Sequence, residues 1–151
     1  GPGLGQSAWS QQLFKKILTT KLPKIIDADG LNLLAKKPLR RKDWILTPHP
    51  GEAARLLKTT TEAIQNDRFT AAIKLQKKYG GTIVLKGADT LIVNEDGKIT
   101  SCTLGNPGMA SGGMGDVLTG VIAGLLAQEL SLSIAAEQGV FLHAAAGDKA
   151  A

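Results

Sequence analysis

Gly105-Asn106-Pro107-Gly108-Met109-Ala110-Ser111-Gly112-Gly113-Met114-Gly115-Asp116 leads directly into the apolar run Val117 to Ala127. Glycines let successive backbone N–H groups converge on an anion, and a helix that follows adds the positive end of its dipole. The stretch therefore reads as a phosphate cradle. A carboxylate at its mouth would be repelled by bound phosphate, so Asp116 points to proton abstraction rather than anion binding. Across Gly115–Gln128 the residues Val117, Leu118, Val121, Ile122, Leu125 and Leu126 repeat at helical spacing, with Gly120 and Gly124 on neighbouring turns. This pattern predicts a helix packed closely on a flat surface, a sheet.

Outward from that helix, short β-rich apolar runs alternate with helical patterns, which reads as an α/β fold. Strands are expected at Lys24–Ala28, Trp44–Thr47, Thr82–Lys86, Thr90–Val93 and Lys98–Thr103. The last two should form a hairpin around Asn94-Glu95-Asp96-Gly97. Helices are expected at Ser7–Leu18, Leu31–Lys36, Glu52–Leu57, Glu62–Tyr79, Gly115–Gln128 and Ile134–Lys149. Thr60 or Thr61 would cap the fourth, and Gly80-Gly81 would end it.

Composition narrows the class. The 151 residues are 43% hydrophobic and 21% charged, which suits one folded domain and not a disordered chain. A net charge of +5 and the run Lys36-Lys37-Pro38-Leu39-Arg40-Arg41-Lys42 raise the question of nucleic acid. Only 4% of residues are aromatic and none interleaves with the basic ones, so no stacking platform for bases is expected. The apolar runs are too short for a membrane span, no signal peptide opens the chain, and the single Cys102 suits a reducing, cytoplasmic setting. The opening Gly1-Pro2-Gly3-Leu4-Gly5 resembles a loop that should follow a strand, and the chain stops within a helical pattern; both predict part of a longer domain.

Ligands of open parallel α/β sheets bind beyond the carboxyl ends of the strands. Four segments fall there: Asp27-Ala28-Asp29-Gly30-Leu31-Asn32, Thr47-Pro48-His49-Pro50-Gly51-Glu52, Lys86-Gly87-Ala88-Asp89-Thr90, and Gly105 to Asp116. Asp27 and Asp29 would share a face if both were extended, and could act as a pair toward a ligand; alternatively Asp29 holds a turn or caps a helix. His49 could bond a substrate and Glu52 could orient hydrated magnesium, or both could simply serve the first turn of a helix. Lys86 could reach a nucleotide phosphate, with Gly87 allowing close backbone approach. His143 has no second ligand at helical spacing and reads as a packed side chain.

In order and spacing these segments resemble the nucleotide-dependent NAD(P)H-hydrate dehydratases of the ribokinase-like superfamily. The resemblance also takes in Gly1 to Gly5 and Asp116-Val117-Leu118-Thr119-Gly120. It implies a ribokinase-like, mostly parallel sheet flanked by helices, here as an incomplete domain over 1–151, without the family's N-terminal strands or the epimerase domain that many bacterial relatives carry. It implies repair of hydrated NADH or NADPH with ADP or ATP and Mg2+. By position, Gly3, His49 and Asp116 would contact the hydrated dinucleotide, with Asp116 as the catalytic base. Lys86, Gly87, Ala88, Asp89, Thr90 and Gly115 would form the adenine-nucleotide site, Gly112, Gly113 and Gly115 an anion hole, and Glu52 a magnesium contact through water. A homo-oligomer is expected. Ser111 and Met114 stand where many members carry threonine, a change that a cradle of backbone amides should tolerate. A ribokinase-like kinase for a small alcohol or vitamin precursor, and a nucleotide-binding fragment without catalysis, are the competing readings.

Overall fold

A computed structural model describes residues 1–151. Its sheet contains β1 (Lys24–Ile26), β2 (Trp44–Leu46), β3 (Thr82–Leu85), β4 (Thr90–Val93) and β5 (Ile99–Cys102), side by side in that order. β1, β2 and β3 are parallel, and β4 and β5 join antiparallel. All five expected strands form. The first ends at Ile26 rather than Ala28, because Ala28 adopts a φ of 49° and turns the chain into a helix.

The helices are α1 (Ala8–Leu18), α2 (Asp29–Lys36), α3 (Pro50–Leu57), α4 (Thr61–Asn66), α5 (Arg68–Tyr79), α6 (Met114–Leu126) and α7 (Leu132–Ala150). The single helix expected over Glu62–Tyr79 is in fact two. Asp67 breaks it with φ −146° and ψ 78°, and its carboxylate accepts the Thr70 N–H at 3.0 Å. An aspartate that can cap gains more from that bond than from continuing a helix. Thr60 caps α4, as expected, by accepting the Ala63 N–H.

Strand alternation sends Leu46, Ile83, Leu85 and Leu91 to one face, where they meet Leu31, Leu34, Leu56, Ile64, Leu75 and Tyr79. Ile45, Val84 and Ile92 face the other way, against Leu118 and Ile122 of α6 and Ala135, Ala136 and Val140 of α7. Helices thus cover both faces, the arrangement that keeps a parallel sheet out of water. Tyr79, fully buried, donates its hydroxyl to the Leu56 carbonyl, and burial pushes its pKa up to about 12.

The expectation for α6 needs correcting. Only Leu118 and Ile122 are buried, Val117 is 55% exposed, and Gly120 and Gly124 face open space. The close approach comes from the partner helix instead: a Cβ added to Gly139 of α7 would lie 2.5 Å from Ile122 Cγ1. Gly139→Val should therefore overpack the crossing and cost about 1–3 kcal/mol, read as a lower urea midpoint with unchanged slope. An unchanged midpoint would mean that α7 simply slides aside.

Candidate active site

Because β1, β2 and β3 run parallel, the residues leaving their carboxyl ends gather on one edge. The Thr47 N–H bonds the Ile26 carbonyl and the Lys86 N–H bonds the Pro48 carbonyl at 2.9 Å, tying the three exits together. Asp27, the His49 segment and Lys86 consequently share one rim.

At its floor lies a compact charged cluster. Lys86 Nζ donates to Asp27 Oδ1 at 2.9 Å and stands 3.9 Å from Glu52 Oε2. Asp27 is 2% exposed, and its second oxygen accepts the Thr119 hydroxyl of α6 at 3.1 Å. Gly115, one turn before Thr119 on the same helix, comes down onto Lys86; a Cβ there would sit 3.1 Å from Nζ. Glycine at 115 thus lets the first turn of α6 close over the ammonium. Asp27 and Asp29 do not act as a pair: Asp29 instead accepts the Gly5 N–H at 2.8 Å, which fastens the loop carrying Gly3 to the start of α2.

His49 and Glu52 form a reciprocal cap at the start of α3. His49 Nδ1 accepts from the N–H groups of Gly51 and Glu52, while Glu52 Oε2 accepts the His49 N–H at 2.8 Å. The helix-starting role of the pair is therefore real. Nε2 of the half-exposed His49 ring takes no part in the backbone cap and lies 3.6 Å from Glu52 Oε1. Glu52 is 5% exposed with one oxygen committed to the cap, and no group of three His, Cys, Asp or Glu side chains could hold a metal. Such a donor set does not fit a cage of protein carboxylates around Mg2+, and Glu52 could contact the ion only through water.

Above the floor, the start of α6 has no side-chain cap, and Gly113 at its N-cap takes φ 91°. Space next to Gly112 and Gly113 is empty, so an anion can approach these amides without displacing a side chain. Asp116 is exposed on the first turn. The other end of the loop is fixed: Asp148 of α7 accepts the Gly105 N–H at 2.9 Å and the Asn106 amide at 3.1 Å, and Asn106 also donates to the Gly147 carbonyl. Met109 lies against Gly147, where no Cβ would fit.

Lys86 to Thr90 form the tight turn between β3 and β4, with Gly87 at φ 146°, Asp89 at φ 52° and the Thr90 hydroxyl donating to the Gly87 carbonyl. Arg68, at the start of α5, lies over Gly87 and donates to the carbonyls of Leu85 and Asp89. Burial pulls its pKa down, while the charge of Asp89 acts against that. Sequence reasoning missed Arg68, which is far from the turn in sequence and matches no motif. Thr119 was missed as well, although its place four residues after Gly115, on the same helix face, is a signal that could have found it.

His143 lies on α7 beside the backbone of Met114, with Nε2 buried and unpartnered. Burial lowers its pKa, opposed by a hydrogen bond to the Met114 backbone. The folded chain thus favours the neutral ring, so stability should fall as pH drops through the ordinary histidine value of 6.5. Urea titrations at pH 7.5 and 5.5 should differ less in His143→Gln than in the parent; an identical difference would rule the ring out.

Residues 1–151 match the family model described as NAD(P)H-hydrate dehydratase. The chain belongs to this family. It is 58% identical to the bifunctional NAD(P)H-hydrate repair enzyme Nnr of Coxiella burnetii over all of its own length, which is 31% of that relative's. It superposes on an ADP/ATP-dependent NAD(P)H-hydrate dehydratase of Bacillus subtilis, co-crystallised with ATP and Mg2+ and soaked with CoA, with a TM-score of 0.86. Identity there is 38%, over 96% of this chain and 53% of the other. A ribokinase-like superfamily protein of Enterococcus faecalis gives the same TM-score at 36% identity, over 99% of this chain and 54% of the other. The fold is therefore ribokinase-like, and this dehydratase-family chain spans about a third to a half of the length of these relatives. No helix is long and apolar enough to cross a membrane.

Proposed function

We propose that the chain carries the nucleotide and phosphoryl-transfer half of a dehydratase that repairs hydrated NADH or NADPH at the expense of ADP or ATP. The observation that supports this best is the meeting of Lys86, Gly115 and the open, uncapped start of α6, with Asp116 next in line. Asp116 takes the proton from the substrate hydroxyl as that oxygen attacks the terminal phosphoryl group of the nucleotide. The amides of Gly112, Gly113 and Gly115 stabilise the charge on the group in transit. The products of this step are a phosphate ester and a nucleotide one phosphate shorter. The nitrogen of the hydrated (tetrahydropyridine) ring then expels inorganic phosphate from the adjacent carbon as an iminium forms, and loss of a proton from the next carbon to solvent restores the ring double bond. Lys86 to Thr90 hold the nucleotide, Gly3 and the free edge of His49 orient the dinucleotide, and Glu52 would hold Mg2+ through water, which supplies charge neutralisation on the phosphates.

Residues 1–151 are read as part of a larger domain, which the coverage of the relatives supports. Ile25 on the outer strand β1 shares a groove with Leu4, Ile17 and the exposed Leu22, an apolar edge for the remainder. Exposed Val117, Phe141 and Leu142 also support a homo-oligomer. The test is a dehydration assay with ADP and with ATP, on this chain and on a form extended upstream of Gly1. The expected result is recovery of reduced-nicotinamide absorbance with stoichiometric phosphate release. A stable phosphorylated product would instead make the protein a kinase, and nucleotide binding without turnover in both forms would make it a binding fragment.

A further inference from the structure

Arg68 is held where a cation is costly. It opens α5, at the helix end whose dipole repels positive charge. Burial works against its ionised form as well, and the charge of Asp89 offsets that only in part. None of the chain's ion pairs includes it. What the guanidinium has instead is the turn between β3 and β4. Its Nη2 donates to the Leu85 carbonyl at 3.2 Å and, at a longer 3.4 Å, to the Asp89 carbonyl. One planar group thus joins the residue that enters the turn to a residue near its end.

The turn is shaped around this contact. Gly87 leaves the space that a side chain would fill, and the guanidinium takes it: a Cβ there would run into Nη1. The close approach that glycine permits at this position is therefore made by Arg68. Asp89 adopts φ 52°, a conformation that a residue with a side chain keeps only where its surroundings hold it. The bond to its carbonyl is such a hold. On the entry side the Lys86 N–H is already tied to the Pro48 carbonyl, so the two contacts together fix both ends of the turn. We propose that Arg68 is a positioning residue for the adenine nucleotide: without touching the ligand, its guanidinium fixes the shape of Lys86 to Thr90 and sets a positive charge behind them. A nucleotide diphosphate brings the negative charge that this position lacks, and adenosine does not. The inference rests on the nucleotide reading above and adds to it a residue outside the turn.

The test measures ADP and adenosine affinity by calorimetry, hydrogen exchange of the turn amides, and the urea midpoint, all on the same preparations. Arg68→Met keeps the length of the side chain and removes its charge and its donors. It should weaken ADP binding about tenfold and adenosine binding by less. Exchange should quicken at Ala88, Asp89 and Thr90 and stay unchanged at Val84, inside β3. The urea midpoint should hardly move, because the contact is confined to one turn. A role in folding alone would do the reverse, lowering the midpoint and leaving the affinity of the folded chain as it was. Arg68→Lys, which keeps the charge but not the planar fork, should recover part of the ADP affinity. Gly87→Ala, which expels the guanidinium, should cost much less in the Arg68→Met background than alone. Equal costs in the two backgrounds would mean that the space at Gly87 serves the nucleotide directly, and would overturn the inference. Unchanged ADP affinity in Arg68→Met would overturn it too, while leaving the nucleotide reading intact. If neither this chain nor the form extended upstream of Gly1 binds ADP, the nucleotide reading falls, and the part of Arg68 in it falls with it.

Discussion

Asp116→Asn is expected to lower the dehydration rate by about 10²–10⁴-fold, the range that a positioned general base supplies. Nucleotide affinity should change by less than about twofold, because the amide keeps the size of the side chain and removes only its ability to take a proton. Stability should hold as well. Asp116 is exposed and its carboxylate makes no hydrogen bond within the chain, so the substitution should stay within about 0.5 kcal/mol. The effect should fall on kcat and kcat/KM together, since the proton moves only as the reaction proceeds. Rate and ADP binding must be measured on the same preparation. A near-normal rate would remove Asp116 from the mechanism; lost ADP binding would mean that it shapes the cradle instead.

The second large effect concerns the floor. Asp27→Ala removes the carboxylate that holds both Lys86 and Thr119, leaving a mostly buried ammonium with Glu52 at 3.9 Å. Breaking one side of a buried ion pair costs about 3–5 kcal/mol, far more than the pair contributes relative to an apolar replacement. The urea midpoint should fall accordingly. Asp27→Ala/Lys86→Met, which removes both charges, should recover much of the loss, and the coupling between the two sites measures the pair. Asp27→Asn keeps an acceptor for Thr119 and should be milder. A single Asp27→Ala variant costing less than about 1 kcal/mol would mean that Lys86 and Thr119 find water or Glu52 equally well.

Much of this fold could be read from the sequence because its signals are local. Strands announced themselves by alternation, the hairpin by Asn94 to Gly97, and helix starts by Thr60 and the His49 to Glu52 box. Errors came where a second partner decided the outcome. Nothing in Glu62–Tyr79 shows that Asp67 will prefer a cap to a helical turn until the chain on either side is placed. The apolar repeat of α6 gave its period, but not which residues would be left outside once Gly139 allowed α7 to lie so close. The rim could be read as a set of segments, but its connections could not. That Asp27 would reach Lys86 across 59 positions and Thr119 across 92 is a property of the folded sheet, as is Arg68 over Gly87.

The attachment of the glycine loop to α7 has a thermodynamic consequence. A mobile loop that must settle around its ligand loses about 1–2 kcal/mol of backbone entropy per residue when it does so. Here the Asp148 carboxylate, the Gly147 carbonyl and the turn at Pro107–Met109 already fix the first part. Between that turn, which Ala110 closes by donating to the Pro107 carbonyl, and α6, only Ser111, Gly112 and Gly113 remain, with the Ser111 carbonyl accepting the Met114 N–H. For the proposed nucleotide site this means that the last turns of α7, remote in sequence from the cradle they steady, prepare the loop in advance, and loosening those turns should weaken nucleotide affinity without altering any group proposed to touch the phosphate.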